Sequence, residues 1–260
     1  MRQAILALAL ACAASGALAD DATHAHAPGS ASHWTYSGTS GPEHWAQISE
    51  AFHTCESGRA ESPIDIRSTK KAPADTPRIQ FSYEPVPVHL LNTGHAIQFA
   101  ATPGKDSVTL GDTRYQLVQF HFHSPGEERF ASRASPMDLH LVHADASGKL
   151  LVVAVQFVVG DTPNPVLGAL LDDIPMNPGE EKTDNALLVN PLGLLPATKS
   201  GYYTYSGSLT TPPCSEGVTW IELKEPVTIS RAQLEAMRGF YDHNQRPVQP
   251  LNGREILEVD

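Results

Sequence analysis

Apolar residues along this chain recur mainly at every second position, in short runs bounded by Gly, Pro, Asn and Asp. That is the pattern of half-buried strands. Residues 87–91, 95–100, 107–110, 115–123, 137–144, 150–159, 202–209, 218–223 and 227–229 follow it and predict strands. Helical spacing is confined to three short stretches. "GPEHWAQI" (41–48) predicts a helix opened by Pro42 and Glu43, because a fixed φ and a negative charge both suit a helix start. Residues 164–171 ("NPVLGALL") and 231–241 ("RAQLEAMRGFY") predict two more, with Ser230 as N-cap of the second. Between 172 and 201, Pro and Gly interrupt every periodic run and predict a long connection with only short turns. The pattern therefore predicts a mainly β fold with short helices at its surface.

With 260 residues, 41% of them hydrophobic, the chain can bury one sizeable core, so a single domain is expected. The N-terminal segment stands apart from it. Met1-Arg2 gives a positive start, Ala4 to Ala14 an apolar run, and Ala17-Leu18-Ala19 a small-residue cleavage site. Residues 1–19 thus read as a secretory signal peptide. The run is too short to span a bilayer, and too short for a lipoprotein signal ending at Cys12. Residues 20–32, "DDATHAHAPGSAS", read as a flexible leader in which His24 and His26 have no fixed geometry. Residues 33–260 are then the folded domain, exported and with no membrane contact after cleavage near Ala19. Two cysteines remain there, Cys55 and Cys214. An even pair in an oxidising compartment suggests a disulfide, the other reading being two separate buried thiols. The excess of 29 acidic over 18 basic side chains argues against a nucleic-acid or anionic-membrane partner.

Candidate chemistry gathers at "QFHFHS" (119–124). Alternation on a strand puts Gln119, His121 and His123 on one face and Phe120 and Phe122 on the other. The aromatic side suits a core, which leaves two imidazoles converging on something polar. A second strand, "DLHLVHAD" (138–145), puts Asp138, His140 and Val142 on one face and Leu139, Leu141 and His143 on the other. Only one of its histidines can join the first pair; His140 is the better choice, because Asp138 shares its face and can orient the ring. Three neutral imidazoles from two strands leave one tetrahedral position of zinc(II) open, the arrangement of a catalytic site.

Four blocks, "QFHFHSPGEE", "DLHLVH", "GSLTTPPC" and "NQRPVQPLNGREI", together resemble the α-class carbonic anhydrases, in particular the exported bacterial members. The likeness runs in order from about Trp34 to Glu258. It implies an α-carbonic anhydrase-like catalytic domain over 33–260: one large twisted, mostly antiparallel central sheet with short peripheral helices. It implies reversible hydration of carbon dioxide to bicarbonate and a proton by a zinc-bound hydroxide, with His121, His123 and His140 as the metal ligands. Water ionises near neutral pH on such a metal, carbonic anhydrase being the type case of that effect. By the same resemblance Thr210 orients the nucleophile by donating its proton to Glu127, the glutamate lying 13 residues before His140, with Glu128 as a decoy beside it. Val142, Val152, Leu209, Val218 and Trp220 match the family's apolar wall for carbon dioxide, and Thr211 would face the solvent side. His95 matches the proton shuttle, bordered by Tyr36, Thr93 and Gln98. Three groups are expected to orient the ligand rings: Gln119 on His121, the Asn244 backbone carbonyl on His123, and Asp138 on His140. Cys55 and Cys214 match the disulfide of exported members.

The chain departs from the family pattern at four positions: Asp138 stands for a glutamate, Glu128 for a His or Asn, Gly126 for a Ser and Ser135 for an aromatic residue. One methylene shorter, Asp138 is expected to need a water or a strand shift to reach its histidine. A second functional reading is a catalytically weak or silent relative kept as a binding protein; relatives of that kind usually lose a zinc histidine. A third, an unrelated zinc hydrolase built on His-x-His, lacks the aspartate-rich continuation such sites need. Oligomeric state is left open, a homodimer included.

Overall fold

Strand alternation in 113–160 decides how the molecule is divided. A computed structural model describes residues 33–260; the predicted signal peptide and leader lie outside the described residues. Met137–Ala144 runs antiparallel between Thr113–His123 on one side and Leu150–Gly160 on the other. On one face of these three strands Phe120, Phe122, Leu139, Leu141, Val153 and Phe157 are buried in the larger hydrophobic cluster. On the other, Val142, Val152 and Ala154 join a smaller cluster with Val218 and Trp220. Burying each large side chain of this kind contributes about 1.5–3 kcal/mol, so the alternation also fixes the register: a slip by one residue would exchange the faces.

Around this centre the thirteen-stranded sheet runs in the order Glu181–Val189, Val86–Asn92, Ile97–Ala100, Thr113–His123, Met137–Ala144, Leu150–Gly160, Glu216–Leu223, Tyr202–Ser208, Leu257–Val259 and Lys70–Lys71. Val227–Ser230, Ile79–Ser82 and Ser107–Leu110 attach beside this path. Most neighbours are antiparallel. Parallel pairing occurs where Leu150–Gly160 meets Glu216–Leu223 and Val227–Ser230, and where Leu257–Val259 meets Lys70–Lys71. A three-stranded ribbon of Asp65–Ile66, Arg129–Phe130 and Arg133–Ala134 sits apart. The fold is mainly β, as expected. Among the described residues no helix is long and apolar enough to cross a membrane.

The two predicted later helices form at Pro165–Leu171 and Arg231–Phe240. Ser230 caps the second through a reciprocal box with Gln233, a motif whose cap is worth about 1 kcal/mol. Gln233 also donates to the Asn164 carbonyl at 2.6 Å and accepts from its N–H at 2.9 Å, which ties the start of one helix to the start of the other.

The structure corrects the pattern in several places. The 41–48 stretch is a 3-10 turn, Pro42–His44, followed by a single α turn, Trp45–Ile48. The stretch 172–201 is not a connection of turns alone: it contains the nine-residue strand Glu181–Val189. That strand lies at the sheet's edge, is largely exposed and is interrupted between Asp184 and Leu188, so no apolar alternation marks it. His95 does not lie in a strand, because Thr93 and Ala96 close a turn around it before Ile97–Ala100 begins. The strand at 202 ends at Ser208, which leaves Leu209 and Thr210 in a loop.

His143 falls on the core face, away from the other histidines. Its Nε2 lies 2.6 Å from the Tyr83 hydroxyl and its Nδ1 3.2 Å from the Leu151 carbonyl. Burial lowers its pKa to about 4, against about 6.5 in an unfolded chain. The folded state therefore binds fewer protons, and the stability this neutral ring supplies is complete above pH about 6.5 and lost as pH falls toward 4. We expect the loss to reach about 3 kcal/mol, seen as a pH-dependent fall in melting temperature that a His143→Gln variant lacks.

Candidate metal centre and active site

Alternation brings His121 and His123 to one face, and the antiparallel register sets His140 directly opposite His121 and Asp138 opposite His123. The ring centroids are 4.9 Å apart for His121 and His123, 4.7 Å for His123 and His140, and 5.5 Å for His121 and His140. Each ring offers a nitrogen within 4.8 Å of the other two.

Tautomers follow from the partners. His123 Nδ1–H donates to the Asn244 backbone carbonyl at 2.7 Å; a carbonyl can only accept, so the proton is on Nδ1 and Nε2 carries a bare lone pair. His121 Nδ1–H donates to Gln119 Oε1 at 2.8 Å, with the same consequence. His123 Nε2 is buried and has no hydrogen-bond partner among the described residues, an expensive omission unless something accepts that lone pair. Burial lowers the His121 pKa well below its ordinary value, and burial with His140's charge takes His123 down to about 4, so both rings are neutral at pH 7. Neutral nitrogen donors, one of them orphaned, fit a tetrahedral zinc ion.

His140 is held differently. Burial lowers its pKa, but the facing Asp138 and Glu128 outweigh burial and raise it well above the ordinary value. In the metal-free protein this ring is protonated, and a bound cation must expel the proton from the nitrogen it takes. His140 Nε2 lies 3.4 Å from Asp138 Oδ2, a close approach without a hydrogen bond between them. It also lies 3.4 Å from Glu128 Oε2, so the expected decoy in fact faces the cluster.

Glu127 is buried against the same cluster. Its Oε2 lies 3.5 Å from His123 Nε2 and 3.8 Å from His140 Nδ1. Its Oε1 accepts the Arg246 backbone N–H at 2.7 Å, and Thr210 hydrogen-bonds the carboxylate as well. Burial pushes its pKa up to about 8, with Asp138 and Glu128 adding to the rise against His140 and Thr210. A dication beside it reverses that push.

Thr210 sits in a loop closed by Leu209 N–H donating to the Ser215 carbonyl at 3.0 Å and Cys214 N–H to the Thr211 carbonyl at 2.8 Å. Cys214 is joined to Cys55, with Cα atoms 5.0 Å apart, and Arg246 Nη2 donates to the Cys55 carbonyl at 2.8 Å. Arg246 therefore links the cystine to Glu127. Beside the histidines, Val142, Val152, Val218 and Trp220 form one apolar cluster with Leu209 packed on it. The Trp220 ring meets His140 edge-on at 4.9 Å. Thr211 is half-buried. His95 stacks on Trp34 with centroids 3.7 Å apart and planes 9° apart, and its carbonyl accepts from Asn244 Nδ2 at 3.2 Å.

Sequence reading misses the contacts of Tyr205 and Arg246 and the approach of Glu128 to His140. Glu128 escapes it because strand alternation stops short of this residue. Residues 124–128 leave the strand and bend, so Glu127 and Glu128 both turn inward. Gly126 makes that bend possible, since a Cβ there would lie 2.3 Å from Ser135 Oγ and 3.2 Å from Asp138 Cβ. The four departures from the family pattern are thus neighbours in space.

A family model for eukaryotic-type carbonic anhydrase matches residues 40–260. A carbonic anhydrase of Klebsiella pneumoniae is 44% identical over 236 residues, 88% of this chain and 92% of the relative. One from Neisseria gonorrhoeae is 40% identical over 242 residues, 93% of this chain and 94% of the relative. The solved complex of the α-carbonic anhydrase from Thermovibrio ammonificans with the inhibitor sulfanilamide superposes with a TM-score of 0.82 at 41% identity, covering 88% of this chain and all of that one. Sequence kinship over nearly the whole described chain and the shared sheet agree: this chain belongs to the eukaryotic-type, α-class carbonic anhydrase family.

Proposed function

We propose that the chain is a zinc enzyme hydrating carbon dioxide reversibly to bicarbonate and a proton, with His121, His123 and His140 as protein ligands. The observation that carries this reading is the orphaned, buried lone pair of His123 Nε2 beside two further ring nitrogens. Zinc held there supplies a water molecule that ionises near neutral pH.

The chain's own groups do the rest. A dication beside Glu127 would favour its ionised form, and with Oε1 taking the Arg246 N–H, Thr210 would then donate to that carboxylate. The Thr210 oxygen is thereby left as an acceptor facing the attacking solvent molecule, which fixes the direction of attack. Val142, Val152, Leu209, Val218 and Trp220 offer an uncharged wall for an uncharged substrate, and Thr211 is assigned to its solvent side. Retention of all three histidines with Thr210 and Glu127 favours an enzyme over a silent binding relative.

His95 takes the proton to buffer, its stacking on Trp34 defining one resting position for the ring. His95→Ala should slow turnover in dilute buffer, with added imidazole restoring it; equal rates for variant and parent would remove the assignment. Export is proposed as well, to the periplasm or outside the cell after cleavage near Ala19. The Cys55–Cys214 cystine suits an oxidising compartment.

Stopped-flow proton release on mixing with carbon dioxide is the test. Acidification should be fast, abolished by a chelator and restored by zinc. Bound zinc without acidification would instead favour the binding protein.

A further inference from the structure

We propose that Glu128 is a positioning residue of the metal centre, sharing with Asp138 the work of holding His140. This rests on the reading of His140 as a zinc ligand.

The two consecutive glutamates of the 124–128 bend flank one imidazole. Glu127 Oε2 approaches His140 Nδ1 at 3.8 Å, and Glu128 Oε2 approaches Nε2 at 3.4 Å. Asp138 Oδ2 stands at the same 3.4 Å from Nε2, but that oxygen already accepts the Glu127 backbone N–H at 2.6 Å. Asp138 Oδ2 is thus already engaged by one donor, and neither its other oxygen nor His140 Nε2 has a hydrogen-bond partner among the described residues. Glu128 divides its oxygens. Oε1 accepts the Tyr205 hydroxyl at 3.0 Å, and that hydroxyl lies 3.2 Å from Ser62 Oγ. Oε2 has no hydrogen-bond partner among the described residues and is directed at His140.

Burial makes the same case. Glu128 is fully buried beside Tyr205 and a further buried acid, Glu222. Among the described residues no Lys or Arg forms an ion pair with it. A buried carboxylate oxygen is costly without a donor, and His140 Nε2 is the ring nitrogen that the free Glu128 oxygen faces. A carboxylate on the outer nitrogen of a ligating imidazole orients the ring and raises its basicity toward the metal. Gly126 admits this arrangement by letting the bend close onto Asp138 and Ser135.

The test is zinc affinity by chelator competition on the mature enzyme, with the cobalt(II) absorption spectrum as a second readout. Glu128→Gln should weaken zinc binding by about 10–100-fold and shift the cobalt spectrum. Adding Asp138→Glu to that variant should recover most of the loss by extending the remaining carboxylate, and should gain less in the parent. Should Glu128→Gln fold poorly, Tyr205→Phe releases Glu128 Oε1 and should give a smaller loss that Asp138→Glu also recovers. A Glu128→Gln affinity within about twofold of the parent, or the same loss with and without Asp138→Glu, would overturn the proposal. So would two zinc equivalents per chain with one lost in Glu128→Gln, because Glu128 would then be a ligand. If the folded parent holds no zinc, the functional reading itself falls; if the parent binds and Glu128→Gln binds equally, only this proposal does.

Discussion

Replacing His123 with alanine is expected to empty the metal centre and end carbon dioxide hydration. Of the three imidazoles, this one has its ligand nitrogen most clearly prepared: Nδ1 is committed to the Asn244 carbonyl and Nε2 is bare and buried. Its pKa near 4 means that no proton competes with the metal at pH 7. Removing an outer partner of a ligand costs about 10–100-fold in affinity; removing the ligand should exceed that. Zinc content of the purified variant, with stopped-flow proton release, checks the outcome. His143→Gln is the matched control, because that ring lies on the core face with Tyr83 and Leu151. Full zinc occupancy in His123→Ala would remove the ligand set proposed here.

Breaking the Cys55–Cys214 bond is expected to have the largest effect on stability. The two cysteines are 159 positions apart, and closing a loop of that length is worth about 5 kcal/mol in the chain-entropy model. The Cys55→Ser/Cys214→Ser double variant should lower the urea midpoint of unfolding accordingly, and reductant should do the same to the parent. Activity should fall too, without loss of zinc. Cys214 anchors the loop that presents Thr210, and Arg246, which reaches Glu127 through its backbone, also donates to the Cys55 carbonyl. Turnover that falls in step with zinc content would contradict this separation of metal binding from nucleophile orientation. An unchanged urea midpoint would contradict the stability estimate.

The departures from sequence expectation share one physical origin. Glu181–Val189 is unreadable from sequence because a largely exposed edge strand carries no apolar period. The inward turn of Glu128 is not readable because residues 124–128 bend out of the strand, where alternation no longer predicts direction. Arg246 and Tyr205 carry no local signal either: their partners, Cys55, Glu61, Glu127 and Glu128, lie 77 to 191 positions away.

Side-chain alternation by itself determined that His121 and His123 face together, that Phe120 and Phe122 face the core, and that only one of His140 and His143 could join the pair, Asp138 on the same face favouring His140. A strand's two faces are a local property of its backbone, so these assignments needed no partner. Only the tertiary structure decided which atoms meet across strands and loops. The Met137–Ala144 register, the Asn244 carbonyl brought 121 positions to His123, and the inward turn of Glu128 depend on packing the whole sheet. Contacts between distant segments are set by the burial of both faces at once, which no short stretch of residues can specify.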